Sequence, residues 1–264
     1  MKNWLTWILC LTLPAAEAAT IPPGGSPEAK GLAIAQEVDR RDRGWRDMQA
    51  SMRMVLRNKQ GQESVREVRV RALEVQGDGD KSLSIFDAPA DVKGTAFLSH
   101  THATRPDDQW LYLPALRRVK RIASANKSGP FMGSEFAYED ITSQEVEKYS
   151  YKFLREEKLD GRETYVLERY PAYKYSGYTR QVVWIDKEIW RPLKIDYYDR
   201  KNALLKTLTF HDYKQYLGKY WRPDRMEMVN HQTGKSTSLI WKNYRFRTGL
   251  TDRDFDQNAL KRIR

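Results

Sequence analysis

The chain has 264 residues, 46 basic against 35 acidic, with a formal net charge of +11 and one cysteine. A lone cysteine excludes a disulfide framework and a thiolate metal site, while this length is ample for one sizeable core. The positive balance favours anionic partners and serves solubility equally well, so charge alone does not choose a function.

Taken in chain order, residues 1–18 read as a secretory signal peptide. Lys2 leads an apolar run from Trp4 to Leu13, too short to span a bilayer, which ends in the small-residue triplet Ala16-Glu17-Ala18. Cys10 lies inside this segment, and Trp7, Ile8 and Leu9 before it are not the small residues that a lipid-attachment site requires. The mature chain keeps 45 basic and 34 acidic residues and is expected in the periplasm. There nucleic acid is no partner, anionic lipid headgroups and acidic protein faces are, and no nucleoside triphosphate drives work.

A leader over 19–25 precedes one domain over 26–264. Ser26-Pro27-Glu28 is an N-cap, a first-turn proline and a favourable acid, and Leu32, Ala35 and Val38 follow at helical spacing until Gly44. The spacing predicts a helix over 27–43. From Trp45 the period changes to two. Residues 48–56 and 65–72 read as a hairpin, closed by Lys59-Gln60-Gly61 and followed by a turn at Gly77-Asp78-Gly79. Further strands are expected over 83–86, 95–101, 110–113, 117–122, 146–155, 164–169, 180–186, 193–198, 204–216, 221–230 and 236–247. Short helical turns are expected near 138–142 and 255–260. Such a series predicts a mainly β, meandering antiparallel sheet with one apolar face, for which the helix is a cover.

The most distinctive stretch runs from Arg105 to Ile141. Its glycine-flanked loop carries Phe131, Met132 and Phe136, which read either as a flap over a hydrophobic cavity or as ordinary packing. Arg117 and Arg121 point to one side of a strand, and Arg118 and Lys120 to the other. These four are candidates for headgroup or partner contact, or for a solvated edge.

The block W-L-Y-L-P-A-L-R-R-V-K-R over 110–121, with F-M-G-S-E-F-A-Y-E-D-I over 131–141, resembles the periplasmic outer-membrane lipoprotein-sorting proteins, relatives of LolA and LolB. The resemblance covers almost the whole mature chain. It implies a curved, incomplete antiparallel barrel, a LolA-like half-barrel, with helices as lid around a cavity for acyl chains. No catalytic residue and no cofactor belong to that plan. It also implies an inner-membrane transporter of the RND/MMPL type as partner, and transient membrane contact. The greater length and the central block depart from LolA itself, so the cargo stays open among lipoprotein, glycolipid and sterol-like lipid. On this reading Trp110, Tyr112, Trp184 and Met228 are candidate wall residues, and Leu32, Ile34 and Val38 are candidate lid contacts.

Two rival classes stand beside the carrier. His100 and His102, two apart on a strand and near Asp107 and Asp108, have a spacing compatible with zinc, the basis of a hydrolase alternative. The basic edge and the tract Tyr170, Tyr173, Tyr175 and Tyr178 suit an adaptor that docks on a transporter without carrying cargo. No nucleophile elbow, phosphate loop or dinucleotide fingerprint is present.

Overall fold

The computed structural model describes residues 25–262, so the predicted signal peptide and nearly all of the leader lie outside the described residues. Helix α1 spans Pro27–Asp42, close to the predicted bounds. The Ser26 hydroxyl accepts the Ala29 N–H, Pro27 and Glu28 occupy the first turn, and Arg40 and Arg41 face the negative end of the helix dipole. Gly44, at φ +99°, carries the chain into the sheet.

Thirteen strands follow. The first six are β1 (Asp47–Arg57), β2 (Glu63–Leu73), β3 (Lys81–Ala88), β4 (Ala96–His100), β5 (Asp108–Leu113) and β6 (Arg118–Arg121). After a long irregular segment come β7 (Tyr149–Leu159), β8 (Arg162–Pro171), β9 (Tyr178–Asp186) and β10 (Pro192–Asp199). The last three are β11 (Leu204–Tyr216), β12 (Tyr220–Asn230) and β13 (Ser236–Phe246). Every strand expected from the period-two pattern is present. Several bounds move by one to four residues: Arg117, with a left-handed backbone, ends a 3-10 turn ahead of β6 instead of lying in the strand, and Val146–Lys148 forms a 3-10 turn, so β7 begins only at Tyr149. Lys148 turns inward there to reach the carboxylate of Asp107.

All thirteen strands form one antiparallel sheet in the order β6-β5-β4-β3-β2-β1-β13-β12-β11-β10-β9-β8-β7. Two meanders, β1–β6 and β7–β13, are thus joined through the pairing of the first strand with the last. β6 and β7 are the end strands and do not pair, so the curved sheet is an incomplete barrel. Helix α1 lies against β7, and its Gly31 permits this. A Cβ at Gly31 would stand 2.8 Å from the backbone nitrogen of Phe153, closer than packing allows.

Alternation divides the side chains between two faces. The inner face gathers Met52, Met54, Val68, Phe86, Phe97 and Leu111 from the first meander with Leu167, Val183, Ile195, Leu208, Met228 and Leu239 from the second. On the outer face, Leu83, Ile85 and Leu98 pack under Phe255 and Leu260 of the C-terminal 3-10 turns, with Trp110 and Tyr112 against them. No helix among the described residues is long and apolar enough to cross a membrane.

Candidate functional site

The segment between β6 and β7 decides what the inner face has room for. Instead of spanning the gap loosely, it folds into the half of the sheet built by β2–β5. Phe131 is 1% exposed, with its ring centroid 5.9 Å from that of Phe86 and 5.3 Å from that of Phe97. Phe136 is 1% exposed as well, and Tyr138 packs on Phe97 at 5.3 Å. Met132 adopts a left-handed backbone (φ 49°), and its carbonyl accepts from Arg66 Nη1.

Polar anchors hold this plug from several sides. The Glu135 N–H donates to Thr237 Oγ1 at 3.0 Å, and Asn230 Nδ2 donates to Glu135 Oε2 at 2.7 Å. Lys206 Nζ reaches the Glu135 carbonyl at 2.8 Å and Asp140 Oδ2 at 2.7 Å. Glu139 accepts from the hydroxyls of Tyr173 and Ser176 and from the Gly177 N–H, each at 2.8 Å. Burial, with neighbouring Asp140 adding to it, pushes the Glu139 carboxyl above its ordinary range. Asp107 sits between Lys148 (2.7 Å) and Lys127 (3.3 Å), all three buried. Each of these buried charges in the plug has a counter-charge or several donors, as burial requires.

The other half of the inner face is left unfilled. A cavity of about 750 Å³ lies between α1 and strands β8–β12. Val38 and Ala35 look into it from the helix, with Leu167, Val183, Ile185, Ile195, Leu208, Phe210 and Met226 from the sheet. Its volume lies within the range of roughly 300–1,000 Å³ typical of small-molecule sites. Charged groups ring the opening, where α1, the β2–β3 turn and residues 143–147 meet. Asp42 holds Arg191 and, at 2.7 Å, Arg222, and Asp39 holds Arg43. Burial raises the carboxyl of Asp80 from 3.8 to about 7, and nearby Glu145 and Glu74 reinforce the shift. Glu145 is raised by burial too.

The structure distributes the predicted site residues unevenly. Val38 lines the cavity, Ile34 is packed in the inner core beside it, and Leu32 is 40% exposed on the solvent side of α1. Met228 faces inward but is fully buried in the core. Phe131, Met132 and Phe136 form part of the plug, so of the two readings of this loop packing holds and the flap does not: Phe131 sits against Phe86 and Phe97, and Phe136 and Met132 join the same core. Trp110, Tyr112 and Trp184 require a correction, because they lie on the outer face. Trp110 and Tyr112 pack toward the C-terminal turns, and Trp184 lies with Val166 and Val182. β9 is apolar on both faces, so its period could not tell Val183 from Trp184. The floor residues Leu167, Val183, Ile195 and Leu208 were legible as strand residues but not as lining.

Arg118, Lys120 and Arg121 are exposed along edge strand β6, with Arg121 paired to Asp108. Arg117 is exposed beside Leu116, itself 63% exposed. His100 and His102 have separate partners. His100 Nε2 lies 2.8 Å from the Phe255 carbonyl, while His102 bridges Asp78 (2.7 Å) and Asp108 (3.3 Å). Among the described residues no group of three or more His, Cys, Asp or Glu is placed to hold a metal. Tyr173 and Tyr178 are turned to Glu139 and Asp140, so half of the tyrosine tract anchors the plug instead of forming a surface.

Comparison with known proteins agrees with this architecture. A family model described only as an uncharacterized protein matches residues 78–262. No curated protein matches the chain. A crystal structure from Vibrio parahaemolyticus, named for outer membrane lipoprotein sorting, is 62% identical; the match covers 88% of this chain and 98% of that one, with a TM-score of 0.87. A DUF1329 family protein from Desulfovibrio piger is 33% identical over 89% of this chain and 100% of that one (TM-score 0.84). A LolA superfamily protein from Nitrosomonas europaea shares the fold at 22% identity, over 87% of this chain and 98% of that one (TM-score 0.70). With its half-open sheet, its plug and its covered cavity, the chain belongs to the family of the outer-membrane lipoprotein-sorting and DUF1329 proteins, and it shares its fold with a LolA superfamily protein.

Proposed function

We propose that the protein is a passive carrier that shields the acyl chain of a lipid or lipidated protein in the cavity beneath α1, for transfer toward the outer membrane. The observation that carries this reading is the unfilled volume of about 750 Å³ beside a plug that fills the other half of the same sheet. A sixteen-carbon chain entering water costs on the order of 12 kcal/mol at ~0.8 kcal/mol per methylene, a barrier that apolar walls remove. An inner-membrane transporter of the RND/MMPL type is the partner that the family resemblance suggests. The exposed cations Arg117, Arg118 and Lys120 suit a transient approach to anionic headgroups or to an acidic face of that partner.

The test is native mass spectrometry and organic extraction of the mature protein, followed by titration of the delipidated protein with an apolar fluorescent probe. One probe per chain, displaced by long-chain lipids and unaffected by Trp184→Phe on the outer face, is the expected result. A folded protein that binds neither probe nor lipid would leave an adaptor without cargo as the reading to keep.

A further inference from the structure

Three arginines line the cavity, and two of them are answered by carboxylates: Arg43 by Asp39, and Arg191 by Asp42. Arg169 is different. It projects from β8 at the end of the cavity where the plug meets β8 and β9. Its Nε donates to Gln181 Oε1 at 2.7 Å and its Nη2 to Gln144 Oε1 at 3.4 Å, and its guanidinium lies 4.5 Å from the centre of the Tyr149 ring. Two amide oxygens and an aromatic face carry no net charge. The neighbouring phenols of Tyr149 and Tyr197 are pushed upward by burial and stay neutral at physiological pH. No described carboxylate forms an ion pair with Arg169.

None of the carboxylates that line the same space is ion-paired with Arg169 among the described residues. Asp140 is held by Lys206 and the Tyr178 hydroxyl, and Glu74 accepts the N–H groups of Gly44 and Arg46. A half-buried guanidinium whose direct partners are all neutral is left wanting a counter-charge, which something that enters the cavity can bring. Its planar fork matches a carboxylate or phosphate through paired hydrogen bonds. Leu167 stands two residues before Arg169 on the same face of β8, and Val183 and Ile195 lie beyond it on β9 and β10. A charged end and an apolar trough therefore share one cavity.

We infer that Arg169 is the head-group site of this cavity, and that the ligand is a single-tailed amphiphile with one oxyanion head, a carboxylate or a phosphate. The head meets the guanidinium, and the tail lies along Leu167, Val183 and Ile195. This inference rests on the carrier reading.

The test compares palmitate, hexadecyl phosphate and hexadecanol as ligands of the delipidated protein, by displacement of the apolar probe, for the wild type, Arg169→Gln and Arg169→Lys. The wild type is expected to bind one of the two anions at least about tenfold more tightly than the alcohol, as a charged hydrogen bond predicts. Whichever anion is preferred identifies the head as carboxylate or phosphate. Arg169→Gln should remove that preference and leave hexadecanol affinity unchanged, while Arg169→Lys keeps part of it. The palmitate preference should fade as pH is lowered through the range in which the ligand's own carboxyl takes up its proton. Hexadecanol bound as tightly as both anions by the wild type, or an anion preference that survives in Arg169→Gln, would overturn the head-group site while the carrier stands. A wild type that binds none of the three would remove the carrier reading itself.

Discussion

The two halves of the inner face are built alike and finished differently. β2–β5 and β8–β12 present the same alternation of aliphatic and aromatic side chains toward the middle of the curved sheet. In the first half the chain supplies its own filling, with Phe131 seated against Phe86 and Phe97 and Phe136 buried in the same core. In the second half Leu167, Val183, Ile195 and Leu208 border empty volume beneath α1. A sheet of this curvature encloses more apolar surface than one helix can cover, so the plug sets how much is packed and how much is left for a guest. The same kinds of residue serve as core on one side and as binding surface on the other, and only tertiary placement separates the roles.

That contrast is broken most directly at Phe131. Phe131→Ala removes a fully buried ring from a close-packed site and is expected to cost about 3–5 kcal/mol, read from the urea unfolding midpoint at unchanged m-value. A loss under about 1 kcal/mol would mean that the plug is not packed in solution and that the flap reading should return.

A mutation in the open half should do the reverse. Val183→Phe adds volume where space exists, so stability should change by less than about 1 kcal/mol, against the ~1–3 kcal/mol that overpacking costs in a filled core. Uptake of the apolar probe should fall at the same time, by displacement of volume and not by unfolding. Should Val183→Phe destabilise as strongly as overpacking and leave probe uptake intact, the cavity would not be the space that the probe occupies.

The sequence shows the strands far better than it shows the site. Most of the thirteen strands carry period-two alternation bounded by turn residues, β9 and β4 read as short apolar runs between turns, and α1 carries its cap and first-turn proline, so local chemistry is enough to place them. The irregular segment over 122–148 has no period, and whether Phe131 hovers over the sheet or packs into it depends on Phe86 and Phe97, some forty residues earlier. The choice of face on β9 fails for a related reason. Val182 and Trp184 are as apolar as Val183 and Ile185, and which pair faces inward is set by the register of β9 against β8 and β10, which the strand's own residues do not reveal. Arg169 carried no sequence signal at all, since one arginine among many stands out only when its partners in the fold, Gln181, Gln144 and Tyr149, are found to carry no charge.

The opening between the halves offers a smaller and more selective probe. Asp80 borders the cavity on the β2–β3 side, its Oδ1 accepts the Val75 N–H at 3.0 Å, and burial holds its carboxyl at about 7 against an ordinary 3.8. Because the folded state binds this proton more tightly than the unfolded chain does, the contribution of Asp80 is fully present below the unfolded value of about 4 and is lost as pH rises through about 7. Glu145, raised by the same cause, adds a slope of the same sign. Asp80→Asn keeps an acceptor for Val75 and stays neutral, so it should be more stable than the wild type by ~1–2 kcal/mol at about pH 8, with the gap narrowing below about pH 7 and closing toward about pH 4. Urea unfolding at intervals across that range measures both curves. Parallel curves would show that the Asp80 carboxylate is as well hydrated in the folded protein as in the unfolded chain, and the opening beside it wider than the packing of α1 against β7 implies.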